Sequence, residues 1–176
     1  MKNSIFLAIL FLGPYILAQE TSAGPILKNF GKVYKVNPDY KVDTEMHYKV
    51  VFDIDSSAEA MDELSSSLNT PARFLNMQAQ SGVPLENMSV ALVIHGAAFK
   101  DILVDSAYSE RFQTDNPTRD LVQALLSSGV EIILCGQTAG YRKVAKEDMI
   151  PGVQTALSAM NALVQLQSKE YQLIKF

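Results

Sequence analysis

Two short apolar runs constrain this chain more than any other feature: Val90-Ala91-Leu92-Val93-Ile94, and Val130 to Leu134 with Glu131 as its one polar residue. A strand with one wet face alternates apolar and polar residues, whereas a nearly unbroken run suits a strand covered on both faces. Two such strands in sequence, separated by helical stretches, point to a parallel sheet packed between layers of helices. Each run also ends in the same manner. His95-Gly96 closes the first and Cys135-Gly136 the second, and glycine lets the backbone turn sharply there.

Three further strands complete the pattern. Tyr48-Lys49-Val50-Val51-Phe52-Asp53-Ile54 is β-branched and aromatic, Val153 to Ala156 is a brief strand after Pro151-Gly152, and Tyr171 to Ile174 closes the chain. Between the first two strands, Asp55-Ser56-Ser57 supplies a cap for a helix through Met61, Leu64, Leu68, Phe74 and Leu75 to about Gln80, with a break near Asn69-Thr70 imposed by Pro71. A helical piece over Ala98–Val104 and a polar loop to Asp115 follow. Asn116-Pro117 then reads as N-cap and first position of a helix ending at Gly129. A short helix is expected near Ala139–Ala145, and Ser158 caps another that runs to Gln167. The expected fold is therefore α/β, three layers with a mostly parallel five-stranded sheet over residues 46–176. Residues 19–45, with Gly24-Pro25, Gly31 and Asn37-Pro38, read as an irregular N-terminal arm.

Residues 1–18 stand apart. Lys2 precedes an almost wholly apolar stretch, Ile5 to Leu17, and Ala18 offers a small residue for cleavage. That is the layout of a secretory signal peptide, too short for an ordinary membrane span, so the expected destination is outside the cytoplasm, in the periplasm, with no stable membrane span after cleavage. Left uncleaved, the same stretch would act as an anchor. The net charge of -4 and the absence of a Lys/Arg cluster argue against a nucleic-acid partner. A single cysteine permits no internal disulfide, and in an oxidising compartment a lone thiol is a liability unless it is buried or used.

In open α/β sheets, function gathers beyond the carboxyl ends of the strands. His95 and Cys135 both fall there. Cys135 precedes a helix whose end amides, with Arg142 and Lys143 nearby, would favour the reactive thiolate. The same residue also fits the role of a small buried apolar side chain. His95 would manage a proton near neutral pH, or would simply hydrogen-bond a loop. His47, at the amino end of its strand, reads as structural. Two histidines and one cysteine give no metal-ligand spacing, and Gly136 with Gly140 completes no dinucleotide fingerprint, so neither a metal nor a cofactor is expected.

The residues Val93-Ile94-His95-Gly96, Gly129 to Gly136, Ile150-Pro151-Gly152-Val153 and the closing Leu166 to Tyr171 resemble the DsrE/DsrF-like family, which includes sulfur-relay subunits of the TusD type. The resemblance implies a three-layer α/β/α fold, association into trimers or hexamers, and sulfur carried as a persulfide on Cys135, which matches the position of the family's cysteine. His95 matches the recurring His-Gly strand end. Gly96 and Gly136 would shape the two turns, with Gly136 leaving space for the extra sulfur. The implied activity is that of a sulfur carrier or sulfurtransferase working between a sulfur donor and an acceptor thiol protein. The alternative is a non-catalytic binding or assembly protein of the same fold with Cys135 packed.

Overall fold

The computed structural model describes residues 21–175. The signal-peptide reading of residues 1–18 lies outside the described residues. The main sheet consists of β3 (Tyr48–Ile54), β4 (Met88–Ile94), β5 (Glu131–Cys135), β6 (Gln154–Ala156) and β7 (Gln172–Ile174), in the order β6-β5-β4-β3-β7 and parallel throughout. A two-stranded antiparallel ribbon, β1 (Thr21–Ser22) with β2 (Val33–Tyr34), precedes it.

The strand order dictates which face each helix covers. The chain steps in one direction from β3 to β6 and then returns past β3 to place β7. Right-handed crossovers put helices of opposite stepping direction on opposite faces. Accordingly α1 (Ser66–Gln80), α2 (Asp105–Phe112), α3 (Arg119–Ser127) and α4 (Gly136–Arg142) belong with the larger core, and α5 (Ala159–Ser168) lies on the other face. The pleat sorts the side chains in the same way. Val50, Phe52, Ile54, Val90, Leu92, Ile94, Ile132 and Leu134 build the larger core. Val51, Ala91, Val93 and Cys135 face Ala159, Ala162 and Leu166 of α5. Alanines at Ala159 and Ala162 let that helix lie close to the sheet.

Several elements differ from the sequence reading. The first helix begins at Ser66 with Ser65 as N-cap, whose side chain accepts from the Leu68 N–H; it does not begin after Ser57. It runs through Pro71 because only the Ser67 carbonyl loses its partner there. Residues 55–64 form a loop held from a distance. Buried Lys100 donates to the Ala58 carbonyl at 2.7 Å, Tyr108 donates its hydroxyl to the Met61 carbonyl at 2.8 Å, and Ser57 donates to Asp101 at 2.7 Å. Burial pushes the Asp101 carboxyl up to about 6 against the hydrogen bonds from Ser57 and Ser65.

The expected polar loop before Asp115 contains α2, anchored by the Tyr108 and Phe112 rings 4.7 Å apart, one helical turn from each other. Asn116 does not cap α3, which Thr118 precedes. Its buried amide instead donates to the carbonyls of Asp101 and Leu103 at 3.0 and 2.7 Å and accepts from the Thr118 N–H.

The arm is irregular but packed. Leu27 and Val33 are buried, and Asn76 on α1 receives the segment from residue 26 to residue 31. Its Oδ1 accepts from the Ile26 and Leu27 N–H groups at 3.1 and 2.9 Å, and its Nδ2 donates to the carbonyls of Leu27, Phe30 and Gly31.

Candidate functional site

Three side chains of the α5-facing surface meet the carboxyl edge of the sheet on neighbouring strands: Asp53 on β3, His95 just past β4, and Cys135 at the end of β5. The register aligns Asp53 with Val93 and Ile94 with Leu134, so His95 and Cys135 come one step later on adjacent strands, about 5 Å apart at the backbone. The structure thus places the two residues that the sequence singled out on adjacent strands at one edge of the sheet.

Cys135 is 6% exposed and is the N-cap of α4, which starts three residues earlier than the sequence pattern implies. The start of α5 lies opposite, with Ser158 as N-cap accepting from the Asn161 N–H at 3.0 Å. Two helix N-termini therefore converge on one sulfur. Burial pushes the thiol pKa up, but the backbone N–H groups of Thr138, Ala159 and Gln137 and the Thr138 hydroxyl outweigh it and hold the thiol below its ordinary value. Amide donors around a sulfur favour its anion in the same way that helix starts favour other anions.

The expected help from Arg142 and Lys143 is absent. They end α4, roughly 10 Å along the helix axis from its start. The Arg142 guanidinium lies 4.9 Å from the Phe99 ring centroid and 5.4 Å from that of Tyr141. Lys143 adopts the left-handed conformation that terminates the helix. Arg111 donates to the Arg142 and Lys143 carbonyls, both at 2.8 Å, and so closes this end. Both cations belong to the helix terminus, and neither is among the groups that chiefly lower the thiol pKa.

The two glycines shape the site by admitting backbone. A Cβ on Gly136 would stand 2.5 Å from the Ala156 carbonyl oxygen and 3.2 Å from that of Leu157. The side of Gly136 on which a Cβ would project is thus filled by the β6 end. Gly96 has φ +57, and a Cβ there would lie 2.7 Å from the Asp55 carbonyl oxygen, which accepts from the Ala97 N–H at 2.8 Å.

Asp53 is the residue that sequence reasoning missed. Its side chain is 10% exposed; one oxygen lies 2.8 Å from His95 Nε2 and the other 2.7 Å from Lys175 Nζ, which also reaches Asp55 at 3.3 Å. Burial pushes the Asp53 carboxyl up, but hydrogen bonds from Lys175 and His95 and their charges prevail and hold it below the usual carboxylate range. The available signal was an acid near the end of a mostly apolar strand. His47 lies at the other edge of the sheet, bonded to Ser89 at 2.8 Å. Among the described residues, no group of three or more His, Cys, Asp or Glu is placed to hold a metal ion.

The family model described as DsrE/DsrF-like matches residues 48–176. Two solved structures share the fold. A protein of unknown function, MTH1491 from Methanobacterium thermoautotrophicum, is 20% identical, with 73% of this chain and 99% of that one covered and a TM-score of 0.52. The ychN protein from E. coli is 18% identical over the same shares, with a TM-score of 0.54. A comparison with curated proteins finds no match.

Proposed function

The chain belongs to the DsrE/DsrF-like family, and from that premise we propose that it is an extracytoplasmic sulfur carrier, holding sulfur as a persulfide on Cys135. The observation that carries this reading is the placement of one thiol at the carboxyl edge of a parallel sheet and at the start of α4, with neighbouring backbone N–H groups lowering its pKa. In the first step the Cys135 thiolate attacks the outer sulfur of a donor persulfide, RS–SH. A new S–S bond forms, the donor S–S bond breaks, and its electron pair leaves on RS⁻ while the hydrogen stays on the transferred sulfur. The step is redox-neutral and depends on thiolate fraction and access. An acceptor thiolate reverses it, attacking the outer sulfur and returning the Cys135 thiolate to its amide donors. His95, one strand away, supplies or removes the proton that the departing or attacking thiol requires.

Export follows from the apolar leader of residues 1–18; the donor is then a persulfide or polysulfide of that compartment. Among the described residues, no helix is long and apolar enough to cross a membrane. Association of several copies is part of the same proposal. Leu157, just before α5, and Met160 and Val164, on one side of it, are 72%, 76% and 63% exposed. Such a row beside the cysteine is the kind of surface an assembly covers. Sedimentation reads this directly: a multimer is expected, and a Met160→Glu variant is expected as a smaller species. A single-chain wild-type species would contradict it.

The sulfur-carrier reading is tested by loading and delivery. Polysulfide-treated protein is expected to carry added sulfur on Cys135 that a small acceptor thiol removes. A protein whose Cys135 is unreactive until denaturation is instead a packed binding or assembly domain.

A further inference from the structure

Asp53 determines more than the position of the His95 ring. Its Oδ2 meets the Lys175 ammonium at 2.7 Å and its Oδ1 meets His95 Nε2 at 2.8 Å, with the carboxylate itself nearly buried. An ionised carboxylate can only accept hydrogen bonds. The nitrogen facing it must therefore be the donor, and in a neutral imidazole the other nitrogen then keeps the lone pair. We propose that Asp53 is the positioning residue for His95, holding the neutral ring as the Nε2–H tautomer so that Nδ1 is the nitrogen that exchanges protons, while Lys175 keeps Asp53 an acceptor. This rests on the reading of His95 as the proton-handling neighbour of Cys135.

Asp53 faces the ring from β3, and Lys175, which follows β7, reaches both Asp53 and Asp55. The arrangement also ties the penultimate residue of the chain to the candidate site, through one carboxylate.

Nitrogen-15 NMR of the imidazole rings in the full chain tests this, with a His47→Gln variant assigning the two histidines. In the wild type at high pH, His95 Nε2 is expected to give the pyrrole-like signal and Nδ1 the pyridine-like one. Asp53→Asn is expected to mix the tautomers, because an amide can donate to the ring as well as accept from it. A wild-type ring protonated on Nδ1, or an Asp53→Asn ring that keeps the pure Nε2–H form, would overturn the proposal. If Asp53→Asn does not fold, the wild-type tautomer decides it alone. The rings report whether or not Cys135 accepts sulfur, so failure here and failure of the carrier reading are told apart.

Discussion

Replacing Asn76 with alanine is expected to lower the unfolding free energy by about 3–5 kcal/mol and to release the arm, residues 21–45, from α1. One amide makes five hydrogen bonds to the arm backbone, and the Asn76 side chain has no exposure to water. Truncation leaves the Leu27 N–H and the Gly31 C=O buried without those partners, and each buried unsatisfied group costs about 1–3 kcal/mol. The arm cannot slide to find others. Gly31, at φ +63, lies so close to α1 that a Cβ there would meet the Ala72 carbonyl carbon at 2.4 Å. Urea denaturation measures the loss, and limited proteolysis is expected to cut within residues 21–45 before the sheet domain. A change below about 1 kcal/mol, with an uncut arm, would mean that Asn76 does not hold it.

Gly136→Ala is expected to combine a stability loss with a loss of Cys135 reactivity. The added methyl would sit 2.5 Å from the Ala156 carbonyl oxygen, a backbone atom paired into the sheet, since β6 aligns Cys135 with Ala156. No rotamer relieves that contact, so either α4 or the β6 end must move. Overpacking of this kind costs about 1–3 kcal/mol. The movement separates the two helix starts that surround the sulfur, so sulfur uptake by Cys135 is expected to slow at least about tenfold, the effect of roughly 1.4 kcal/mol on a barrier. Gly140→Ala is the control, because nothing lies within 4 Å of a Cβ built there. Equal behaviour of the two variants in urea denaturation and sulfur uptake would remove Gly136 from the account.

What the sequence discloses and what it hides follow from the range of the forces involved. The central strands are legible because Val90–Ile94 and Val130–Leu134 each report burial on two faces, a property carried by consecutive residues. Cys135 and His95 are legible because a glycine after a buried strand marks the sheet edge. Boundaries set by distant partners are not. Residues 55–64 contain Ala-Glu-Ala-Met, which favours a helix on propensity, yet Lys100, Asp101 and Tyr108 hold them as a loop. Asn116 before proline has the pattern of an N-cap, but its amide is drawn to the Asp101 and Leu103 carbonyls. Arg142 and Lys143 lie seven and eight residues after the cysteine, and only the observed start of α4 shows that they end the helix whose beginning holds the sulfur. The Asp53–Lys175 contact spans 122 residues of chain and leaves no local pattern.

The central claim is that Cys135 accepts and passes on sulfur, and intact-mass spectrometry of the folded protein after polysulfide treatment tests it most directly, with Cys135→Ser treated in parallel. The account predicts a gain of one sulfur atom on the wild type, its removal by an acceptor thiol, and no gain on Cys135→Ser. An unchanged wild-type mass, with Cys135 reacting only after denaturation, would contradict it.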